Sequence, residues 1–330
     1  MRCLTLADEL RKHGVQVAFA CREVPGNLND LLEKRGYPVY RMNEGIPEAK
    51  LDWKRDARQL QEFLGTASPV DWLVVDHYEL DARWERTVKP ILHRLMVIDD
   101  LANRPHDGDL LLDQNWYRDL ENRYDALVPV TCIRILGPTY ALLRPEFVKT
   151  KQTRGARTGE VRRVLVFFGG SDPSNETSKV VAAARGLDLE FDFVVGTSNP
   201  HRQDIVSSVS ELDNARVHVQ VENMGELMAS ADLGLMAGGS VTWERCCLSL
   251  PALVVTVADN QIRVAQDLAE VGYHYYLGPA RDLGPQEYRQ ALIRACGQVA
   301  ENREMALRCQ ALVDGLGASR VCDYLLERTT

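Results

Sequence analysis

The feature that most constrains this sequence is a regular alternation between two kinds of pattern. Short runs rich in β-branched and other apolar residues alternate with stretches whose apolar residues recur at helical spacing. The predicted strands are 15–21, 39–42, 72–76, 95–99, 132–136, 164–168, 191–195, 217–219, 233–236, 252–255 and 273–277. This alternation is typical of βαβ units with parallel strands. The sequence therefore predicts an α/β fold.

The alternation is interrupted once, by the polar segment 149–160 (KTKQTRGARTGE), which has no hydrophobic period. A chain of 330 residues is too long for one typical core and long enough for two. We therefore predict two Rossmann-like, doubly wound domains facing a cleft, at 1–148 and 161–330, with 149–160 as the linker. The last predicted helix, 318–327, is expected to pack back on the N-terminal domain.

Composition excludes several classes of protein. The net charge of −8 argues against a general nucleic-acid or membrane surface, and no apolar run reaches the ~20 residues of a membrane span. None of the eight cysteines forms a C-x-x-C pair or a zinc-type spacing with histidine. We therefore predict a cytoplasmic protein with no metal site, and a monomer.

The start of the sequence departs from the alternation. A helix is predicted from Arg2 with no strand before it, whereas every other helix of this half follows a strand. A doubly wound domain normally opens with its central strand and a glycine-rich turn. Either the domain starts with a helix, or its first strand and loop are missing from this sequence.

Two glycine-rich turns each follow a predicted strand and open a predicted helix. The first is GGSDPSN at 169–175 and the second is AGGSVTWE at 237–244. Such turns let backbone N–H groups approach a phosphate, and Glu244 lies one turn into its helix, where it could accept bonds from ribose hydroxyls. The alternative is simple helix capping, by Ser174 or Asn175 in the first turn. Two such loops in one half favour ligand binding.

Further polar residues lie at predicted strand ends. Asn260 and Gln261, in the segment ADNQ, carry amides that can both donate to and accept from sugar hydroxyl or acetamido groups. In the first half, His77 follows a buried strand and could be an acid, a base or a polar contact. Helix capping and a surface histidine are the respective alternatives.

Several blocks of the sequence resemble a known family: MRCLTLADELRKHG, VVDHYELD, VIDDLANRPHDGDLLLDQN, LGPTYALLRPEF, FFGGSDPSNET, AGGSVTWERCCLSLP and ADNQ. Together they resemble the UDP-2,4-diacetamido-2,4,6-trideoxy-β-L-altropyranose hydrolases of pseudaminic acid biosynthesis, which serves flagellin glycosylation. That family is similar in turn to the GT-B glycosyltransferases, such as the peptidoglycan N-acetylglucosaminyltransferase. The resemblance runs from Met1 to Arg320.

The resemblance implies hydrolysis of a small-molecule UDP-sugar to UDP and the free sugar, by metal-independent attack of water at the anomeric carbon and without a cofactor. It assigns the diphosphate to the backbone of 238–240, the ribose to Glu244, and the uracil to the surroundings of Met224. The substrate-binding residues that it implies are Gly170, Ser171, Asp172, Asn175, Met224, Gly238, Gly239, Ser240, Glu244, Asn260 and Gln261.

The sequence departs from the family in one respect. A G-x-G-H loop precedes the methionine that corresponds to Met1, and its histidine is the family's general base. The resemblance therefore implies that the catalytic histidine lies upstream of Met1, and His77 is the alternative candidate within this sequence. Two other functions stay open: a GT-B glycosyltransferase with a UDP-sugar donor, and a non-catalytic UDP-sugar binder. The lack of a clear apolar or basic patch on the first half favours the hydrolase.

Overall fold

The computed structural model describes residues 1–24, 26–42, 52–66 and 69–327. The chain divides into two compact units. Unit 1 comprises Met1–Asn115, Asp119–Leu142 and Leu316–Thr330, and unit 2 comprises Trp116–Arg118 and Leu143–Gly315. The chain thus leaves unit 1 for unit 2 at Leu143 and returns to unit 1 at Leu316.

The first stretch of unit 1 forms parallel sheets covered by helices. Its elements are α1 (Arg2–Lys12), β1 (Phe19–Arg22), α2 (Asn29–Lys34), β2 (Val39–Met42), α3 (Trp53–Thr66), β3 (Trp72–Asp76), α4 (Ala82–Val88), β4 (Arg94–Ile98), β5 (Leu110–Asp113) and β6 (Ile133–Leu136). Strands β3, β4, β5 and β6 pair in that order, and β1 pairs with β2 in a separate sheet. All of these pairs are parallel, as the alternation predicts. The missing first strand stays a prediction.

Two elements of unit 1 differ from the sequence-based expectation. The first strand begins at Phe19 rather than at residue 15. Strand β5 was not predicted, because its three leucines lie in a short run between polar segments. These leucines are almost fully buried, and β5 pairs with β4 on one side and β6 on the other. Sheet pairing, rather than local periodicity, therefore determines this strand.

Unit 2 is built on one six-stranded parallel sheet. Its elements are α5 (Pro145–Thr153), β7 (Arg163–Phe167), α6 (Glu176–Ala184), β8 (Glu190–Val195), α7 (Arg202–Ser210), β9 (Ala215–Val219), α8 (Met224–Ser230), β10 (Leu233–Ala237), α9 (Val241–Cys247), β11 (Ala252–Thr256), α10 (Ile262–Glu270), β12 (Tyr275–Pro279), α11 (Pro285–Gly297) and α12 (Val299–Leu312). The strand order is β12-β11-β10-β7-β8-β9. The chain therefore adds β8 and β9 on one side of β7, and then returns to add β10 on the other side of β7. This is the strand order of a doubly wound nucleotide-binding domain.

The segment expected to be a linker is partly helical. Helix α5 runs from Pro145 to Thr153 and so covers the first residues of 149–160. Proline at the first helical position is compatible with a helix start, since its missing N–H would have no partner there. Phe147 is fully buried, and α5 contacts α8 and α9. Tertiary packing therefore makes this polar stretch a part of unit 2.

The helix predicted near the end of unit 2 is divided. The pattern at 286–300 corresponds to α11 and to the start of α12, with Gln298 between them at φ −101° and ψ 52°. Asn302 anchors this break, since its side-chain amide donates to the carbonyls of Ala295 and Gly159 at 2.9 and 3.0 Å.

The final helix, α13 (Gly317–Leu325), belongs to unit 1 and contacts α1. Leu6 and Leu10 of α1 share a buried core with Val321 and Leu325 of α13 and with Met96 of β4. Within the four described ranges, no helix has the length and apolar character needed to cross a membrane.

Candidate functional site

The carboxyl edge of the six-stranded sheet brings the two glycine-rich turns side by side. One turn follows β7 and the other follows β10, and these neighbouring strands pair in register, with Phe167 opposite Met236. The chain reverses its direction of strand addition between β7 and β10. Ligands of doubly wound sheets bind in the crevice beyond the strand ends at this point.

In the turn after β7, the backbone lies in close contact with the backbone that follows β8. Gly169 has a φ of 96°, in the left-handed region that favours glycine. Gly170 lies against Gly196, which follows β8, and a Cβ atom on Gly196 would lie 2.1 Å from the Gly170 carbonyl oxygen. The Ser198 hydroxyl donates to that oxygen at 3.0 Å. Gly196 was missed from the sequence, although it is a third glycine at a strand end.

Asp172 holds the start of α6. Its carboxylate accepts from the backbone N–H groups of Glu176 and Thr177, both at 2.9 Å, and from the Thr177 hydroxyl at 2.7 Å. The side chain is almost fully buried, so it serves the helix. Neither Ser174 nor Asn175, the caps suggested by the sequence, makes this bond: Asn175 has no side-chain cap bond. Instead, the buried Oδ1 of Asn175 has no partner among the described residues.

The turn after β10 meets the ADNQ segment. The position of a Cβ atom on Gly239 would be 3.6 Å from Nε2 of Gln261. Oε1 of Gln261 accepts from the Val257 backbone N–H at 2.9 Å, which fixes the orientation of the amide. Ser240 and Asn260 are exposed. The structure thus brings Gly239 and Gln261 together, as expected for residues of one site.

Glu244 lies on α9, one turn after Ser240. Its Oε1 is 3.9 Å from Nη2 of Arg144, while the same Arg144 nitrogen lies 2.8 Å from Glu146. Burial raises the pKa of Glu244 to about 7, although Arg144 opposes the shift and Glu146 adds to it. The Glu244 side chain is 22% exposed. It therefore remains accessible to a hydroxyl-bearing ligand, and hydrogen-bond donors of that ligand would favour its ionised form.

Met224 differs from Ser240 and Asn260 because its side chain is buried. It is the first residue of α8 and its side chain is only 5% exposed. Its apolar side chain therefore belongs mainly to the interior of unit 2.

His77 lies in unit 1, just after β3. Its Nε2 lies 3.2 Å from the Arg22 guanidinium, and its Nδ1 accepts from the Glu79 backbone N–H at 3.1 Å. Burial lowers the pKa of His77, and the positive charge of Arg22 lowers it further. Because both ring nitrogens have protein partners, this geometry does not favour a water-activating role for His77.

A charged cluster at the carboxyl ends of β3 and β4 was not predicted as a unit. The Arg2 guanidinium donates two hydrogen bonds to Asp76, at 2.6 and 2.8 Å, and two to Asp100, at 2.8 and 2.9 Å. Asp100 also accepts from the Tyr78 hydroxyl at 3.1 Å and from the Asn115 amide at 3.0 Å. Burial raises the pKa of Asp76, but the hydrogen bonds from Arg2 outweigh burial and hold this pKa below its ordinary value. Arg2 reaches these two aspartates because α1 begins beside the carboxyl ends of β3 and β4.

A second network fixes the loop after β4. Asp99 accepts from the Arg104 guanidinium at 2.6 Å and from the Ala102 backbone N–H at 2.7 Å. His106, which had no partner pattern in the sequence, lies 2.6 Å from the carboxylate of Glu85. Burial lowers the pKa of His106, but the Asp99 carboxylate, 3.8 Å from Nε2, and the hydrogen bond with Glu85 together raise it above its ordinary value. These buried, mutually bonded groups hold the shape of the loop.

Similarity to known proteins places this architecture in a class. MurG of Acinetobacter baumannii superposes with a TM-score of 0.66, at 14% identity, over 99% of this chain and 95% of that chain. The UDP-GlcNAc 2-epimerase from Neisseria meningitidis, solved bound to UDP-GlcNAc, superposes with a TM-score of 0.62, at 15% identity, over 99% and 96%. The fold is therefore the GT-B-like α/β fold that the sequence predicted.

Relatives in sequence narrow the comparison. The chain is 25% identical over 265 residues to the UDP-2,4-diacetamido-2,4,6-trideoxy-β-L-altropyranose hydrolase of Campylobacter jejuni, over 80% of this chain and 89% of that protein. It is 30% identical over 199 residues to the spore coat polysaccharide biosynthesis protein SpsG of Bacillus subtilis, over 58% of this chain. The resemblance predicted from the sequence blocks is thereby confirmed.

The match to two of the relatives covers only part of their length. The chain spans only 57% of SpsG and 57% of an uncharacterized protein of Methanocaldococcus jannaschii, to which it is 23% identical over 289 residues. No family model matches the chain.

Proposed function

We propose that this protein is a nucleotide-sugar hydrolase that cleaves UDP-2,4-diacetamido-2,4,6-trideoxy-β-L-altropyranose to UDP and the free sugar. The observation that carries the proposal is the carboxyl edge of unit 2. Two glycine turns flank the β7–β10 switch point, with Gln261 beside one of them and Glu244 one turn into the following helix. The similarity to the named hydrolase supports the choice of reaction and sugar.

In this proposal the backbone N–H groups of Gly239 and Ser240 hold the diphosphate. The N–H of Gly238, which the family resemblance also assigned to the diphosphate, instead donates to the Val255 carbonyl at 2.9 Å. The half-buried Gly239 and the exposed Ser240 leave room for a ligand on this turn. Glu244 accepts from the ribose hydroxyls. The uracil lies near the segment around Met224, which contributes mainly its backbone because the side chain is buried.

The glycine turn after β7 and the amide segment contact the remainder of the substrate. Gly170 and Ser171 contribute from the turn after β7, and Asp172 acts indirectly by holding that turn against α6. Asn175 supplies an unpartnered Oδ1. Asn260 and Gln261 face the acetamido and hydroxyl groups of the sugar.

The reaction requires an attacking water, a leaving group and a base. Water adds to the anomeric carbon while the bond from that carbon to the diphosphate oxygen breaks, and the electron pair leaves with UDP. Preorganised N–H donors stabilise the charge that develops on the leaving oxygen, so the proposal uses no metal. The family resemblance assigns the base to the histidine of the G-x-G-H loop.

The test is a product assay with the UDP-sugar, run on this chain and on a version carrying its in-frame upstream codons. A hydrolase forms UDP and free sugar in equal amounts, with a chelator present and without an acceptor. Loss of a positioned base lowers such a rate by roughly 10²–10⁴-fold, so the two versions should differ if the upstream residues supply the base. Failure of both versions to bind UDP would reject the nucleotide-sugar site.

The same assay separates the two other functions. A glycosyltransferase would release UDP only after an acceptor sugar or lipid is added. A non-catalytic binder would bind UDP, and neither version would release product. Either outcome would reject hydrolysis while keeping the UDP site.

A further inference from the structure

We infer that unit 2 carries a second anion site, for a small phosphate or phosphate monoester, at the edge of the sheet opposite to the candidate nucleotide site. A cavity of about 370 Å³ lies there, within the size range of small-molecule sites. Its lining includes Arg154, Arg157 and Arg303, together with Ser249, Thr158 and Gln310. Cationic and hydroxyl or amide groups of this kind are suited to bind an oxyanion.

The location of the cavity follows from the chain path. Arg157 and Thr158 precede β7, and Ser249 lies between the end of α9 and the start of β11. These residues therefore lie at the amino ends of the parallel strands. The glycine turns and Glu244 follow the carboxyl ends of β7 and β10. The cavity is thus distinct from the candidate nucleotide site.

The three arginines lack negative partners. None of them has a carboxylate oxygen within 4.0 Å among the described residues, and Asp232 is the nearby carboxylate whose charge acts on Arg157. The chain as a whole carries a net charge of −8. Three arginines lining one cavity therefore form a local concentration of positive charge on an acidic protein.

Part of this charge is held in place by the backbone. The Arg157 guanidinium donates to the carbonyls of Met228, Ala231 and Leu248, at the ends of α8 and α9. Burial, together with the nearby charge of Arg154, lowers the pKa of Arg157 to about 10. Arg157 therefore supplies a fixed positive charge at the base of the cavity, with most of its donors already used.

The free donors come from the other two arginines. Arg154 donates to the Gly155 carbonyl and the Ser249 hydroxyl, but its buried Nε has no partner. Arg303 is exposed on α12 and has no hydrogen bond or ion pair among the described residues. A guanidinium presents five N–H donors. The remaining Nη donors of Arg154 and the guanidinium of Arg303 can therefore supply several charge-assisted bonds to a phosphate, which would relieve the repulsion between like charges.

The test measures thermal stabilisation of the full chain by inorganic phosphate, titrated against chloride at constant ionic strength. A ligand that binds only the folded state raises Tm as its concentration exceeds Kd. Arg303→Ala removes a side chain without structural partners, so it should fold normally. Arg294→Ala is the matched control, because Arg294 is an exposed arginine of α11 outside the cavity lining.

The expected result is a rise in Tm with phosphate in the unaltered chain and in Arg294→Ala, and a requirement for about tenfold more phosphate in Arg303→Ala. Equal responses of the two variants, or no response of any of them, would overturn the inference. Glucose 1-phosphate in place of phosphate distinguishes the source of the phosphoryl group: tighter binding indicates a monoester, and equal or weaker binding indicates free phosphate.

The inference is independent of the proposed function. UDP affinity should be the same in Arg303→Ala and Arg294→Ala. A parallel loss of UDP and phosphate affinity in Arg303→Ala would mean that the cavity belongs to the nucleotide site, and would overturn a separate anion site.

Discussion

Glu244 is subject to opposing requirements. Burial disfavours its ionised form, and the Arg144 charge that could compensate lies 3.9 Å away and closer to Glu146. A carboxylate in this position is costly to the free protein but well suited to accept two hydroxyl donors from a ribose. This electrostatic strain at the start of a strand-end helix supports the proposed contact with ribose.

The first prediction concerns UDP affinity. Glu244→Gln removes the charge and one acceptor, so we expect UDP to bind about 10–100-fold more weakly, the range for hydrogen bonds to a charged group. Isothermal titration calorimetry with UDP measures this change. Glu301→Gln, which removes an exposed charge on α12, is the control and should bind UDP normally. Unchanged UDP affinity in Glu244→Gln would contradict the proposed contact between Glu244 and the ribose.

The second prediction concerns pH. The pKa of Glu244 is about 7 in the folded protein against an ordinary 4.5, so the folded state holds more protons than the unfolded state between these values. Its contribution to stability therefore becomes less favourable as pH rises from about 4.5 to about 7, by at most about 3 kcal/mol. Glu244→Gln should gain stability over the unaltered chain at pH 8 and little at pH 5. Urea unfolding at both pH values tests this; parallel pH profiles would contradict it.

At the level of helices and strands, local sequence patterns predicted most of the strands but not every element boundary. The turn after β7 was recognised by its glycines, yet the cap of α6 was assigned to Ser174 or Asn175 rather than to Asp172. The difference arises because Asp172 adopts a φ of 38° and reaches forward to residues 176 and 177. A capping preference identifies the residue types, but the backbone path selects the residue.

The third prediction tests that cap. Asp172→Ala leaves two N–H groups of α6 without their acceptor and places alanine at a left-handed φ, so we expect a loss of about 1–2 kcal/mol. Asp172→Asn keeps one acceptor and tolerates this φ, so it should lose less. Ser174→Ala, at an exposed position in the same turn, is the control. Chemical denaturation monitored by circular dichroism ranks the three variants, and equal stability of Asp172→Ala and Ser174→Ala would exclude the cap.

Elements that depend on distant partners could not be predicted from periodicity. Strand β5 forms because β4 and β6 flank it. The polar start of the expected linker is helical because Phe147 is buried against the interior of unit 2. The two glycine turns were predicted at the strand ends where the structure has them, since such turns require only local sequence; their binding role stays a prediction. Arg2 and Gly196 were missed because their roles depend on contacts with distant residues.

For the whole molecule, unit 1 is assembled from segments far apart in sequence. Residues of α1, β4 and α13 share one buried core, although α13 follows all of unit 2. The stability of unit 1 therefore depends on a short helix at the other end of the chain.

The fourth prediction follows from this core. Val321→Ala removes two methyl groups from a fully buried side chain, so we expect a loss of about 2 kcal/mol. Because the two units need not unfold together, hydrogen exchange is the measurement. Exchange should accelerate in α1 and β4 but not in β7 and β10. Val206→Ala, on the surface of α7, is the control, and protection unchanged in α1 would contradict the prediction.

The return of the chain to unit 1 also sets an order of events on the ribosome. Leu143–Gly315 is nearly the whole of unit 2 and precedes α13, so the core shared by α1 and α13 can form only after nearly all of unit 2 has been made. At about 5–20 residues per second, the nascent α1 waits on the order of ten seconds or more with Leu6 and Leu10 lacking their partners from α13. Helix α1 is thus made early and packed late, and during this interval its apolar side chains are open to chaperones.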